Sequence, residues 1–159
     1  MVEAKLGDRS LFPNLEGTAY LAHAAISPLS APVCERIEEV IRDYARGGMA
    51  SFVRWAPRLL QVRAQLASLI SADVRELAVV ATTKQGVIDI SFGIPWRTGD
   101  RVVLFDVEFP ANLTPWQQAA EQFQLEPLWL SLEPFHRSVE EGLDELERAL
   151  RRGVRLVAV

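Results

Sequence analysis

Three stretches of the chain carry side chains suited to chemistry. The first is Ala81-Thr-Thr-Lys-Gln-Gly86. Thr82 and Thr83 offer hydroxyls, and Lys84 adds a positive charge. A helix starting here would contribute unpaired N–H groups and the positive end of its dipole, a combination that suits a phosphate. The alternative is an ordinary strand-to-helix turn whose threonines only cap the helix. The second stretch is Leu104-Phe-Asp-Val-Glu-Phe-Pro-Ala-Asn-Leu-Thr-Pro-Trp116. Phe109 is a flat, rigid ring backed by Pro110, just past the end of a strand, where open α/β sheets hold their ligands. It can stack on a planar ring, or it can be a core or interface aromatic. Asn112 and Trp116 read as structural, one stabilising the turn and the other packing under the next helix. The third stretch is Ala22-His-Ala-Ala25. His23 can bind a carboxylate or exchange a proton, or it can be a hydrogen-bonded surface histidine.

Other chemistries lack their residues. His136 falls in a polar loop and reads as solvated, and Cys34 reads as packing on the first helix. There is no Ser/His/Asp set and no metal-ligand spacing. Asp106 and Glu108 do not define a glycosidase-like pair. A single cysteine excludes an intrachain disulfide.

The elements that must position these residues follow from periodicity and punctuation. Residues 1–17 read as a polar arm and 18–25 as a short apolar run. Ser30-Ala-Pro32 reads as a cap with an early helical proline. Val33, Ile37, Val40, Ile41 and Tyr44 then keep helical spacing until Gly47-Gly48. Met49 to Pro57 reads as an aromatic-rich linker before a second amphipathic helix carrying Leu59, Val62, Leu66, Leu69 and Ile70. Leu77–Ala81, Arg101–Phe105, Pro127–Leu130 and Val154–Val159 read as strands. Gln85–Phe92, Thr114–Phe123 and a segment from Ser138 to about Arg152 read as helices. Thr114 with Gln117, and Ser138 with Glu141, have the spacing of capping boxes. Alternating strands and helices imply a mostly parallel sheet, and strands this apolar are expected to be covered by helices on both faces. The expected fold is α/β: an N-terminal helical arm, then part of such a sheet.

At 159 residues the chain can bury one ordinary core. Hydrophobic residues at 49% and charged residues at 24% are those of a soluble globular protein. At a net charge of −4 nothing is basic enough to suggest a nucleic-acid surface, and none is expected. No apolar run approaches the roughly 20 residues of a membrane span, and residues 1–10 lack the core of a signal peptide, so the cytoplasm is expected. A chain that stops at its last strand reads as the front part of a longer protein or a truncated product of one.

Four segments, in order, resemble the class V aminotransferase family of pyridoxal-phosphate enzymes, which includes cysteine desulfurases, kynureninases and isopenicillin-N epimerase-like proteins. Tyr20-Leu-Ala-His-Ala-Ala-Ile-Ser-Pro28 resembles its opening "YLnhAAxxP" segment, and Val80-Ala-Thr-Thr-Lys-Gln-Gly-Val-Ile-Asp89 its "FTxxATExIN" phosphate loop. Thr98-Gly-Asp-Arg-Val-Val103, Glu108-Phe-Pro-Ala-Asn112 and Pro115-Trp116 resemble "GDxVLxxxxEhpaNxxPW". Leu156-Val-Ala-Val159 resembles the strand before its "HxSN" element.

The resemblance implies that residues 18–159 are the N-terminal part of the domain that binds pyridoxal 5'-phosphate. Thr83, Lys84 and Gln85 would then hold the phosphate, and Phe109 would stack on the pyridine ring. His23, Ala24 and Ala25 would line the substrate site across a homodimer interface. The parent enzyme would act on an amino acid through an aldimine.

Departures from the pattern limit what it implies. Gln85 stands where the family usually has Thr, and Ala22 where it has Asp or Asn. Phe109 replaces the histidine of many cysteine desulfurases; it cannot transfer protons, which favours an aminotransferase, lyase or epimerase-like reaction. The Schiff-base lysine and the aspartate that pairs with the pyridinium nitrogen are expected beyond Val159, so the chain alone is expected to be inert. The alternative is a non-catalytic α/β domain that binds a phosphorylated ligand or depends on a partner.

Overall fold

The computed structural model describes residues 8–159, so the first part of the expected arm lies outside the described residues. The chain divides into two compact units, Met1–Ala78 and Val79–Val159. Among the described residues, no helix is long and apolar enough to cross a membrane.

In the first unit, turns lead into two helices, α1 (Ala31–Gly47) and α2 (Met49–Ile70), and a 3-10 turn, η1 (Val74–Glu76). Ser30 occupies the N-cap of α1 without a side-chain hydrogen bond, and Pro32 fits the first turn, where its missing N–H costs nothing. The expected linker 49–57 is instead the first part of α2, with Pro57 inside the helix. Reversal needs only Gly48, whose φ of 47° ends α1 and starts α2. Asp43 then ties the two helices together. Its carboxylate accepts from Arg54 Nη1 at 2.8 Å and from Trp55 Nε1 at 3.0 Å. Its carbonyl accepts from the buried Ser51 hydroxyl at 2.7 Å. Aromatics that suggest a linker therefore serve a helix junction. The stripes of α1 and α2 follow the expected spacing, yet Ile41, Leu59 and Leu69 remain exposed.

After α2, Asp73 caps η1: its carboxylate accepts the Arg75 N–H at 2.8 Å, and Glu76 Oε2 accepts the Asp73 N–H at 2.9 Å. Leu77–Ala81, expected as a strand, does not join the sheet: with no neighbour to complete a ladder, it forms no strand.

The second unit contains α3 (Thr83–Gly93), β1 (Arg101–Phe105), a 3-10 turn η2 (Pro110–Asn112), α4 (Thr114–Phe123), β2 (Glu126–Leu130), α5 (Glu133–Arg137), α6 (Val139–Leu150) and β3 (Val154–Val157). The three strands form a parallel sheet in the order β2-β1-β3. The fold is therefore α/β, with β1 central and helices on both of its faces.

Val102 and Leu104 pack with Trp116 and Ala119 of α4, against which Val87 of α3 also lies. Val103 and Phe105 pack with Leu128 and Ala149, flanked by Phe135 of α5 and Leu146 of α6. Each fully buried aliphatic side chain on β1 contributes about 1.5–3 kcal/mol. The outer strands are less covered: Trp129 on β2 is exposed, and Arg155 on β3 reaches Asp100 Oδ2 at 3.3 Å where the register with β1 slips.

Two caps differ from expectation. Thr114 is already helical, and α4 has no side-chain cap; Leu113 precedes it in αR conformation and accepts the Gln117 N–H at 3.1 Å. The 3-10 turn begun by Pro110 runs directly into α4, so no separate cap is needed. Ser138 caps α6, its hydroxyl accepting the Glu141 N–H at 3.0 Å. The Glu141 carboxylate turns to Arg137 at 3.4 Å, so only half of the expected box forms.

Gly142 tests the packing of α6. A Cβ there would overlap the Phe135 ring, itself edge-on to Phe105 at 6.2 Å. Gly142→Ala is expected to lower stability by about 1–3 kcal/mol. Gly93→Ala, where no atom lies within 4 Å of the added methyl, is expected to be neutral or to stabilise by up to about 1 kcal/mol. Urea midpoints of the two variants check this.

Asp73 gives a pH dependence. The Arg75 guanidinium, then its N–H, hold the Asp73 carboxyl below its ordinary range. The η1 cap is thus complete above the unfolded-state pKa of about 3.9 and is lost as pH falls through the lower folded-state value. The protection of the Arg75 amide, its exchange relative to the intrinsic rate at each pH followed by NMR, is expected to fall only in that acidic window.

Candidate functional site

The phosphate-type element is the start of α3. Thr82 is extended (φ −150°, ψ 159°) and caps the helix, its Oγ1 accepting the Gln85 N–H at 3.1 Å. Its carbonyl accepts the Gly86 N–H at 3.1 Å. The helix begins at Thr83, two residues before the expected Gln85, so Thr83 and Lys84 occupy its first turn. Their N–H groups have no acceptor within the helix and point outward at the positive end of the dipole.

Thr83, Lys84 and Gln85 are exposed. Lys84 enters none of the ion pairs among the described residues. Gln85 is more committed: its backbone N–H serves Thr82, and its Nε2 donates to Asp89 Oδ1 at 2.6 Å. A Cβ on Gly86 would lie 3.3 Å from Val80 Cγ2, so a glycine lets the helix approach the preceding segment closely.

The second element follows β1. Phe109 is extended (φ −64°, ψ 138°) at the start of η2, and its carbonyl accepts the Asn112 N–H at 2.8 Å. Its ring is 75% exposed, which excludes the core-aromatic reading. Since η2 packs against α3 and α4, the aromatic turn and the phosphate-type helix are neighbours.

Residues flanking Phe109 form a polar chain that their types alone did not reveal. Asn112 Nδ2 donates to Glu108 Oε2 at 2.6 Å, and Trp116 Nε1 donates to Asn112 Oδ1 at 3.2 Å. The spacing Glu108, Asn112, Trp116, each four positions after the last, was the available signal. Asn112 stabilises the turn and Trp116, 5% exposed, packs under α4, as expected.

The third element belongs to the other unit. His23 Nδ1 lies 3.2 Å from Ser27 Oγ, and its ring is edge-on to Tyr20 at 5.0 Å. The Tyr20 hydroxyl donates to the Ile26 carbonyl. His23, Ala24 and Ala25 are exposed in a turn closed by the Ala25 N–H on the Ala22 carbonyl at 3.0 Å. Tyr20, His23 and Arg9 border a cavity of about 520 Å³.

Thr83, Lys84 and Gln85 on α3 and Phe109 just before η2 lie within one unit. His23, Ala24 and Ala25 form a turn in the other. Cys34 is half-buried on α1, and His136 is exposed on α5, a short helix where a loop was expected. Among the described residues no His, Cys, Asp and Glu cluster suits a metal ion. Asp106 and Glu108 are engaged separately, with the Leu132 N–H at 3.4 Å and with Asn112.

The chain is similar in sequence and in fold to known proteins. The chain is 29% identical over 154 residues to a cysteine desulfurase of Dickeya dadantii, covering 92% of this chain and 37% of that protein. It is 27% identical over 114 residues to a probable cysteine desulfurase of Methanothermobacter thermautotrophicus, covering 69% of this chain and 28% of the other. The chain thus spans roughly a third of the length of these relatives. In fold it is similar to a C-DES variant with glycine covalently linked to its pyridoxal-phosphate cofactor. There the TM-score is 0.71 and the identity 22%, over 78% of this chain and 33% of the other. The family description aminotransferase class-V matches residues 19–159, and with that match taking in most of the sequence, the chain belongs to this family.

Proposed function

We propose that this chain supplies part of the cofactor site of a pyridoxal-phosphate-dependent enzyme acting on an amino acid. Pyridoxal phosphate is the cofactor of the class V aminotransferase family. One observation carries the reading to these residues: the exposed start of α3, with Lys84, belongs to a helix that packs against the turn presenting Phe109. A phosphate and an aromatic ring on one small molecule need those two partners side by side.

The residues fit that group. The first-turn N–H groups of α3 and the Lys84 ammonium would hold the phosphate. Phe109 would cover one face of the ring. When bound, the cofactor supplies an electron sink for negative charge at the amino acid's α-carbon. Phe109 has no group that can hold a proton, so it orients and shields the ring from water without acid–base work. This favours transamination, elimination or epimerisation over desulfuration. The turn at His23, Ala24 and Ala25 would line the substrate side, and the full-length enzyme would be a homodimer.

Lys84 is committed to the phosphate in this reading, and Lys5, the other lysine, lies outside the described residues. The chain by itself is therefore expected to bind the cofactor without turnover. Titration with pyridoxal phosphate, followed by tryptophan fluorescence, tests this. Lys84→Ala is expected to weaken binding of pyridoxal phosphate and of inorganic phosphate alike, by about two- to fivefold. Phe109→Ala is expected to weaken only pyridoxal phosphate, by about two- to tenfold. Binding that ignores both substitutions would exclude the assignment, and turnover by the isolated chain would exclude its inertness.

A further inference from the structure

We propose that Asn112 is a positioning residue that holds Phe109 in place as a ring-stacking face; this deepens, and rests on, the cofactor site proposed above. The case begins with exposure. A phenyl ring that is 75% exposed has little packing of its own to hold it, so its direction depends on the backbone of residues 108–112.

That backbone is fixed from below by a side chain with both ends committed. The Asn112 amide donates to Glu108 Oε2 at 2.6 Å and accepts from Trp116 Nε1 at 3.2 Å. A carboxylate can only accept and an indole can only donate, so the amide is held in one orientation. Phe109 lies between Glu108 and Asn112 in sequence and is carried by the loop that these two side chains close.

The anchor continues toward the phosphate-type helix. Trp116 is edge-on to Trp96 at 6.4 Å. Trp96 Nε1 donates to the carbonyl of Ser91 at 2.7 Å, and Ser91 is a fully buried residue of α3. The loop bearing Phe109 is thereby referenced to the helix whose first turn carries Thr83 and Lys84. Asn112, whose own N–H also meets the Phe109 carbonyl at 2.8 Å, sets where the stacking face stands relative to the phosphate.

An isosteric substitution separates this role from general stability. In Asn112→Asp the Trp116 bond survives, but a second carboxylate faces Glu108, and the loop must open. In Glu108→Gln/Asn112→Asp a Gln amide donates to the Asp, and the loop closes again with the donor direction reversed.

The readout is ring preference, the affinity of the full 159-residue chain for pyridoxine 5'-phosphate divided by its affinity for inorganic phosphate. Asn112→Asp is expected to reduce ring preference by about two- to tenfold, to the level of Phe109→Ala. Affinity for inorganic phosphate should not change, and the double variant should restore ring preference. Glu108→Ala, which removes the acceptor without adding charge, is expected to show the same loss and serves if Asn112→Asp does not fold.

Unchanged ring preference in Asn112→Asp or Glu108→Ala, alongside its loss in Phe109→Ala, overturns the positioning role and leaves the cofactor site standing. A parallel fall in phosphate affinity, or no rescue in a folded double variant, also overturns it by reducing Asn112 to a structural residue. A wild-type chain with no ring preference overturns the cofactor reading, and this role with it.

Discussion

The complete enclosure of β1 is the constraint on which the second unit depends. The strand is paired in parallel on both edges, and its alternate residues feed two separate cores, one under α4 and one under α5 and α6. A strand so enclosed has no freedom to shift register, because a one-residue slip would exchange its two apolar faces and break both ladders. The end of β1 is therefore a rigid point in the molecule, and the loop leaving it starts from a fixed position and direction. Rigid strand ends carrying short loops are what precise ligand contacts require.

From that point the chain spends few residues before it is anchored again. Phe105 ends the strand, Phe109 stands exposed, and by Trp116 the backbone is buried in α4. The two tryptophans do more than fill space. Each places an apolar ring in or against the core under α4 and uses its one N–H to bind a polar group above it, Asn112 in one case and the Ser91 carbonyl in the other. Buried indole N–H groups need such partners, and here meeting that need couples the loop to α3. The start of α3 is open by contrast: Thr82 satisfies one N–H, while those of Thr83 and Lys84 face outward.

Much of the second unit was legible because its signals are local. The run 101–105 has the length and β-branched content of a strand, and Thr114–Phe123 is helical to the residue expected. Errors arose where local signals served a tertiary purpose. Aromatics and a proline at 49–57 resemble a linker, but Trp55 is a partner of Asp43 across a helix junction that a single glycine makes possible. Leu77–Ala81 has strand composition, yet composition cannot provide the neighbour that a ladder needs. The Thr114 capping box has the correct spacing, but the 3-10 turn before it removes the need for a cap.

By itself the sequence determined the α/β alternation, the parallel sheet and the family resemblance of its motifs. It also singled out the residues proposed to meet a phosphate and a ring. These depend on residue type, spacing and periodicity, all of which are local along the chain. Only the tertiary structure decided that Phe109 stands clear of the core, that its turn packs against α3, and that Asn112 bridges Glu108 and Trp116 beneath it. Those facts depend on which surfaces meet once both faces of β1 are covered, and a linear pattern does not contain that information.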